Sequence, residues 1–149
     1  MKLCPNELLP LAAIQKGQDM NTATKMKLRI LEVSASGRRA DSVSRVLTAD
    51  IIAALESRHG PADVTRRDLA DGIGFVDEAW INANFTAEDE RTAAQRDRLA
   101  ESDALVAQMQ QADIVVIGAP IYNFGVPASL KAWVDMIARA RLTLSLINI

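Results

Sequence analysis

A serine-rich stretch lies between a strongly apolar segment and an amphipathic one. Its serines are Ser34, Ser36, Ser42 and Ser44. The apolar segment Lys27–Val33 predicts a buried strand, and the apolar spacing that starts at Ser42 predicts a helix. A helix N-terminus has unpaired N–H groups and a partial positive charge, which favour phosphate binding. Serine hydroxyls add neutral donors and Arg38 and Arg39 add positive charge, so the stretch predicts a phosphate site.

The same stretch has a second interpretation, in which Asp41 or Ser42 caps the helix and the other serines are solvated. The residues alone leave both interpretations open. The sequence has no G-x-x-x-x-G-K-[ST] motif and no G-x-G-x-x-G motif, so neither an ATPase P-loop nor the usual NAD fingerprint is predicted.

A second candidate segment contains two aromatic residues in a chain that is only 4% aromatic. It reads Ile121-Tyr122-Asn123-Phe124-Gly125 and follows the most apolar predicted strand, Asp113–Ala119. Aromatic rings and an amide suit a flat heterocycle, through stacking and edge hydrogen bonds. Gly125 would permit a close backbone approach or a positive φ. The alternative is that Tyr122 and Phe124 cover the core.

Strands and helices alternate along the chain, which predicts an α/β fold with a parallel, doubly wound sheet. The predicted strands are Lys27–Val33, Asp63–Leu69 and Asp113–Ala119. The predicted helices run from Ser42 to about His59, from Thr86 to about Gln111, and onward from Pro127. Ligands of such sheets bind beyond the carboxyl ends of the strands, where both candidate segments lie.

Apolar spacing also predicts which face of each helix is buried. For the first helix the predicted face is Val43, Val46, Leu47, Ile51, Ala54 and Leu55. For the second helix it is Leu99, Leu105, Val106 and Met109. For the third helix it is Leu130, Trp133, Val134 and Ile137. The segment Ala70–Phe85 is predicted to be irregular, and Leu142–Ile149 could form a short strand.

Composition restricts the classes of function. The chain has 149 residues, which predicts one domain, and its net charge of −2 does not imply a nucleic-acid partner. One cysteine, Cys4, excludes an internal disulfide and fits a reducing compartment, so we expect a cytoplasmic protein. With one histidine as well, no metal site is expected. The longest apolar run, Ile114–Ile121, is far short of the ~20 residues that span a bilayer, so no membrane association is expected.

Two motifs together resemble a known family. These are S-x(5)-S-x-S after the first strand and GAPIYNFGVPASLKAWVD after the third. Over about Lys27–Ala140 the chain is similar to the FMN-dependent NADH-azoreductases, also called FMN-dependent NADH:quinone oxidoreductases, which have a flavodoxin-like fold. The resemblance implies residues near the FMN phosphate, namely Ser36, Ser42, Val43 and Ser44. It also implies residues that line the isoalloxazine, namely Ile121, Tyr122, Asn123 and Phe124.

The resemblance further implies a reaction and an assembly. In such enzymes NADH passes a hydride to the flavin and NAD leaves, and the reduced flavin then reduces a quinone or an azo compound. No residue of this chain is assigned a catalytic role, because the cofactor carries the chemistry. The family works as a homodimer, which is the expected assembly here.

The sequence departs from the family pattern toward its end. The family fold has five parallel strands, whereas this chain supplies three clear ones, which we expect in the order 2-1-3. Similarity is lost near Arg141, so the sequence suggests a C-terminally truncated domain. We therefore expect a flexible extension at 1–26, an incomplete FMN-binding domain at 27–140 and a divergent tail at 141–149.

The sequence leaves two other functions open. The chain could be a flavodoxin-like electron carrier, or a truncated fragment without catalytic activity. The long segment Ala70–Gln111 and the aromatic segment favour the enzyme, because an electron carrier needs no substrate pocket.

Overall fold

Three parallel strands form one sheet at the centre of the computed structural model, which describes residues 27–144. The strands are β1 (Arg29–Ser34), β2 (Asp63–Asp68) and β3 (Ile114–Gly118). The sheet order is β2-β1-β3, so the predicted order is confirmed. At the carboxyl ends, Ser34 lies opposite Asp68 on one side and Gly118 on the other.

The central strand β1 is buried on both faces, as expected for a strand with helices above and below it. Every residue of β1 after Arg29 is buried. Leu31 and Val33 belong to the larger core cluster, whereas Ile30 belongs to a smaller cluster on the opposite face. This alternation places β1 in the middle layer of an α/β/α arrangement.

Within residues 27–144, four helices cover the two faces of the sheet. They are α1 (Val43–His59), α2 (Glu78–Phe85), α3 (Ala93–Gln111) and α4 (Ala128–Ile137). Helix α1 contributes Ile52 to the smaller cluster, whereas α2, α3 and α4 contribute Trp80, Leu99 and Trp133, among others, to the larger one. The predicted doubly wound α/β fold is therefore confirmed.

The start of α3 differs from the prediction. Residues 88–90 form a 3₁₀ turn, and α3 begins only at Ala93. Its capping residue is Thr92, whose hydroxyl accepts from the backbone N–H of Gln95 at 3.2 Å while the Gln95 side chain accepts from the Thr92 N–H at 2.9 Å. This reciprocal pair provides the acceptors that the first turn of a helix needs. Thr86, where the sequence predicted the helix to start, makes no such pair with the first turn of α3.

The segment Ala70–Phe85 is not irregular throughout, so that prediction is wrong. It continues a 3₁₀ turn at Leu69–Asp71 and then contains α2, whose N-cap Asp77 accepts from the N–H of Trp80 at 2.8 Å. An eight-residue helix is too short to produce a clear apolar period. Helix α2 is stabilised by tertiary burial, because Trp80 and Ala83 lie in the larger core.

The predicted buried face of α1 is wrong. Five of its six residues are exposed instead, namely Val43, Val46, Leu47, Ile51 and Ala54, and only Leu55 is partly buried against the smaller cluster. The buried residues of α1 are Thr48 and Ile52. Glu32 of β1 lies under this helix, and the Thr48 hydroxyl donates to its carboxylate at 2.9 Å. A buried carboxylate needs such a partner, so the face with Thr48 packs inward rather than the more apolar one.

The other two predicted faces are mostly confirmed. In α3, Leu99, Leu105 and Val106 are buried. Met109 of α3 and Ile137 of α4 are partly buried against the same core. In α4, Leu130 and Trp133 are buried, but Val134 is exposed and Met136 is fully buried in its place.

The segment after α4 forms a turn where a strand was expected. The carbonyl of Arg139 accepts from the N–H groups of Leu142, Thr143 and Leu144. The remainder of the expected strand, 145–149, and the predicted extension 1–26 lie outside the described residues. No helix within residues 27–144 is long and apolar enough to cross a membrane.

One ion pair joins β1 to the start of β3 at the edge opposite the candidate site. The carboxylate of Asp113 accepts from the backbone N–H of Arg29 at 2.9 Å and from the Arg29 guanidinium at 2.7 and 3.2 Å. These hydrogen bonds from Arg29 lower the pKa of Asp113 from 3.8 to about 2.

We expect Asp113 to contribute to acid sensitivity. Its pKa is lower in the folded than in the unfolded chain, so the unfolded chain takes up the proton first as the pH falls. The free energy of unfolding of the wild type should therefore fall between about pH 4 and pH 2. That of Asp113→Asn should fall less over the same range. Urea unfolding across this range measures the difference. The control Asp50→Asn, on the exposed surface of α1, should show the wild-type decline in this free energy. If the free energy of unfolding of Asp113→Asn declines as steeply as that of the wild type, Asp113 does not contribute to acid sensitivity.

Candidate functional site

Two loops meet at the carboxyl edge of the sheet. The serine loop, residues 35–42, follows β1, and the aromatic loop, residues 119–127, follows β3. Where the loops leave the strands, the N–H of Ala35 donates to the carbonyl of Gly118 at 2.9 Å. The parallel pairing of β1 and β3 thus places both predicted segments side by side.

The serine loop turns its hydroxyl groups inward. Ser36 and Ser42 are buried, and the Ser36 hydroxyl accepts from the N–H of Arg38 at 3.2 Å. The hydroxyls of Ser42 and Ser44 lie 3.2 Å apart and form a hydrogen bond. Val43 between them has an exposed alkyl side chain without a donor, so a hydrogen bond from this residue to a ligand would use its backbone N–H.

The N-terminus of α1 is left without a side-chain cap. Asp77 caps α2 and Thr92 caps α3, whereas the Ser42 hydroxyl makes no capping bond to α1. The N–H groups of Val43 and Ser44 have no acceptor among the residues the structure describes. The interpretation that Ser42 merely caps the helix is therefore wrong. Free N–H groups and the positive end of the helix dipole suit an anion.

One of the two arginines in the serine loop is directed away from it. The guanidinium of Arg39 pairs with Asp68 at the end of β2 and with Asp71 in the turn that follows. Arg38 makes no ion pair within residues 27–144, so its charge remains available near the loop. The positive charge that the sequence predicted for this loop is thus carried by Arg38 rather than by Arg39.

The aromatic loop is a tight two-residue turn. Tyr122 and Gly125 exchange both backbone hydrogen bonds, at 2.9 and 3.0 Å. The residues between them have positive φ, 47° for Asn123 and 66° for Phe124, which is the geometry of a type I′ turn. Of the two possibilities raised for Gly125, a close backbone approach or a positive φ, the second is wrong, because the two residues before it adopt that conformation instead.

This turn exposes the Phe124 side chain completely. The second central position of a type I′ turn favours glycine, so a phenylalanine there is strained. Ile121 is also exposed and Tyr122 is partly so. The alternative in which Phe124 covers the core is therefore wrong, and the ring is available to a ligand.

A hydrogen bond connects the two loops. The N–H of Gly37 in the serine loop donates to the hydroxyl of Tyr122 in the aromatic loop at 3.2 Å. The Tyr122 ring thus links the region with anion-binding donors to the region with exposed aromatic surface. A ligand that combines a phosphate with a flat ring matches this pair of surfaces.

Three residues of the site were not predicted from the sequence. Arg45 of α1 donates to two carbonyls of the serine loop, and its guanidinium lies 2.8 Å from Asp68, which holds the pKa of that carboxyl below its usual value. Gly118 ends β3 directly beneath α1. For Arg45 and Asp68 no local signal exists, because they are 23 residues apart. Gly118 could have been noticed as a glycine at a strand end.

A doubly wound sheet with its ligand loops after the first and third strands defines the flavodoxin-like class. The chain belongs to the family described as having a flavodoxin-like fold, whose match covers residues 27–146. Among curated relatives, the chain is 58% identical over 114 residues to FMN-dependent NADH:quinone oxidoreductase 1 of Jannaschia sp. (strain CCS1), over 76% of this chain and 57% of the relative. It is 53% identical over 116 residues to the FMN-dependent NADH:quinone oxidoreductase of Thiobacillus denitrificans, over 78% of this chain and 56% of the relative.

A solved structure gives the same result. The crystal structure of an azoreductase from Bacillus anthracis str. Sterne matches with a TM-score of 0.66 and 28% identity, over 77% of this chain and 57% of the azoreductase. The resemblance stated from the sequence motifs is therefore confirmed. The chain spans a little over half the length of each of these three relatives.

We expect Gly118→Ala to disturb the site. A Cβ at this position would lie 2.9 Å from the Thr48 Cγ2 and 3.2 Å from the carbonyl oxygen of Ser44. Since backbone cannot move aside cheaply, the free energy of unfolding should fall by about 1–3 kcal/mol, as in other overpacked sites. Urea unfolding monitored by tryptophan fluorescence measures this.

The matched control is Gly125→Ala in the aromatic loop. A Cβ there would have no atom within 4 Å, and the φ of Gly125 is not positive. We expect a change in the free energy of unfolding within about 0.5 kcal/mol, as for an ordinary surface substitution. An equal loss of stability in both variants would contradict the close packing of α1 on β3.

Proposed function

We propose that residues 27–140 form the FMN-binding domain of an NADH oxidoreductase whose electron acceptors are quinones or azo compounds. The names of the relatives support both the cofactor and the reaction class. The observation that carries the proposal is the uncapped N-terminus of α1 beside the exposed aromatic turn. These two surfaces correspond to the two chemically different ends of FMN.

The phosphate end of FMN would be bound by the serine loop and the first turn of α1. The residues are Ser36, Ser42, Val43 and Ser44. The hydroxyl pair of Ser42 and Ser44 and the free N–H groups of Val43 and Ser44 are neutral donors, which can surround a phosphate without repelling one another.

The isoalloxazine end would be bound by the aromatic loop. The residues are Ile121, Tyr122, Asn123 and Phe124. The exposed ring of Phe124 offers a stacking surface, and the positive φ of Asn123 and Phe124 fixes the direction of the turn. FMN, when bound, would supply hydride acceptance from NADH and electron transfer to the acceptor.

We propose a homodimer as the functional assembly. The family resemblance supports it, and so does the apolar strip on α1. That strip consists of Val43, Val46, Leu47 and Ile51, each at least half exposed. Solvent-exposed apolar surface of this kind is typical of an interface.

The dimer is tested by placing a charge in this strip. Leu47→Glu would have to bury a carboxylate at the interface, so the dimer dissociation constant should rise at least about tenfold. Sedimentation equilibrium measures it. Ser57→Glu, exposed near the other end of α1, should leave the constant unchanged. A wild-type chain that is monomeric at all concentrations would contradict the dimer.

We also propose that the protein acts in the cytoplasm. Its single cysteine, Cys4, cannot form an internal disulfide, which suits a reducing compartment. NADH, the proposed electron donor, is an intracellular metabolite. Fractionation of cells that express the tagged chain would locate it.

The function is tested with the purified 149-residue chain. We expect a yellow protein with FMN absorbance that oxidises NADH when a benzoquinone is added. Ser42→Ala combined with Ser44→Ala should weaken FMN binding, since each lost hydrogen bond to a charged group contributes roughly 1.5–3 kcal/mol. Fluorescence titration with FMN gives the dissociation constants, and Ser57→Ala on the exposed surface of α1 is the control.

The other outcomes separate the alternative functions. FMN binding without NADH oxidation would indicate an electron carrier. A folded, colourless protein that binds no FMN would contradict the proposal and favour a non-catalytic fragment. Unchanged FMN affinity in the double serine variant would contradict the assignment of Ser42 and Ser44 to the FMN phosphate, but not the proposed reaction.

A further inference from the structure

Arg45 connects the serine loop to the carboxyl end of β2. Its Nε donates to the carbonyl of Arg38 at 2.8 Å, and its Nη2 donates to the carbonyl of Ser36 at 2.9 Å. Nη2 also donates to the carboxylate of Asp68 at 2.8 Å. The side chain is only 22% exposed, so the guanidinium is a fixed part of the loop rather than a mobile surface charge.

These hydrogen bonds determine where the polar groups of the loop are directed. The carbonyl oxygens of Ser36 and Arg38, on either side of Gly37, both accept hydrogen bonds from Arg45. The N–H of Gly37 is directed toward Tyr122 instead. A carbonyl oxygen carries partial negative charge and would repel a phosphate, whereas hydroxyl and N–H groups attract one.

We infer that Arg45 is a positioning residue for the phosphate of FMN. By binding the carbonyls of Ser36 and Arg38, it leaves hydroxyl and N–H donors rather than carbonyl oxygens to face the anion. Asp68 in turn holds the guanidinium in place. The inference rests on the proposed function, because it concerns the same cofactor site.

An ion pair on the same sheet provides a matched comparison. Arg66 of β2 pairs with Glu32 at 3.0 Å, so it also joins β1 to β2 through a guanidinium and a carboxylate. Unlike Arg45, Arg66 binds no loop carbonyl within the part of the chain that the structure describes. Removing Arg66 therefore removes one positive charge and one ion pair, without releasing the serine loop.

The test compares FMN with riboflavin, which lacks the phosphate. We expect Arg45→Ala in the full chain to raise the FMN dissociation constant about tenfold or more, as for lost hydrogen bonds that involve a charged group. The riboflavin dissociation constant should change less than about threefold, within the range of a neutral surface change. Arg66→Ala should leave both constants within the same limit. Quenching of flavin fluorescence measures all of them.

Two further variants separate geometry from charge and cover a failure of Arg45→Ala to fold. Arg45→Lys retains the charge but lacks the planar fork that binds several acceptors at once, so it should also weaken FMN selectively. Asp68→Asn should also weaken FMN binding more than riboflavin binding, because it releases the Arg45 guanidinium. Wild-type affinity in Arg45→Lys, or an equal loss of FMN and riboflavin in Arg45→Ala, would overturn the inference. A wild-type chain that binds no FMN would overturn the proposed function itself.

Discussion

Parallel pairing of β1 with both of its neighbours is the constraint on which the candidate site depends. Because all three strands run in one direction, their carboxyl ends share one edge. That edge brings together segments that are far apart in the sequence: the serine loop, Asp68 and the aromatic loop. The pairing needs a central strand that is buried on both faces, and the uninterrupted burial of β1 after Arg29 meets that requirement.

The position of α1 depends on two contacts with the sheet. The buried Glu32 accepts from Thr48, which sets the rotation of the helix, and Gly118 leaves room for Ser44 and Thr48 to approach β3. Together they place the free N–H groups of the first helical turn beside the serine loop. A polar contact and a missing side chain, rather than the most apolar face, therefore decide where the proposed anion site lies.

The strands and both loops could be predicted from the sequence because each depends on local pattern. Apolar runs identified β1 and β3, and the serine and aromatic segments follow them directly. The buried face of α1 could not be predicted, since it depends on the Glu32 carboxylate beneath it. Helix α2 is stabilised by the burial of Trp80, and Arg45 reaches Asp68 through space. In each case the deciding partner lies far along the chain, where periodicity carries no information.

The strained turn at Asn123 and Phe124 has a consequence for how the protein can change. Left-handed backbone costs roughly 1–2 kcal/mol for a residue such as Phe124, whereas asparagine tolerates it, and here the turn is stabilised by the paired backbone bonds of Tyr122 and Gly125. The Phe124 ring contributes nothing to the core, because it is fully exposed. The identity of an aromatic ring at this position is therefore uncoupled from the packing of the core. Selection can exchange one ring for another at this position while the scaffold beneath it stays the same.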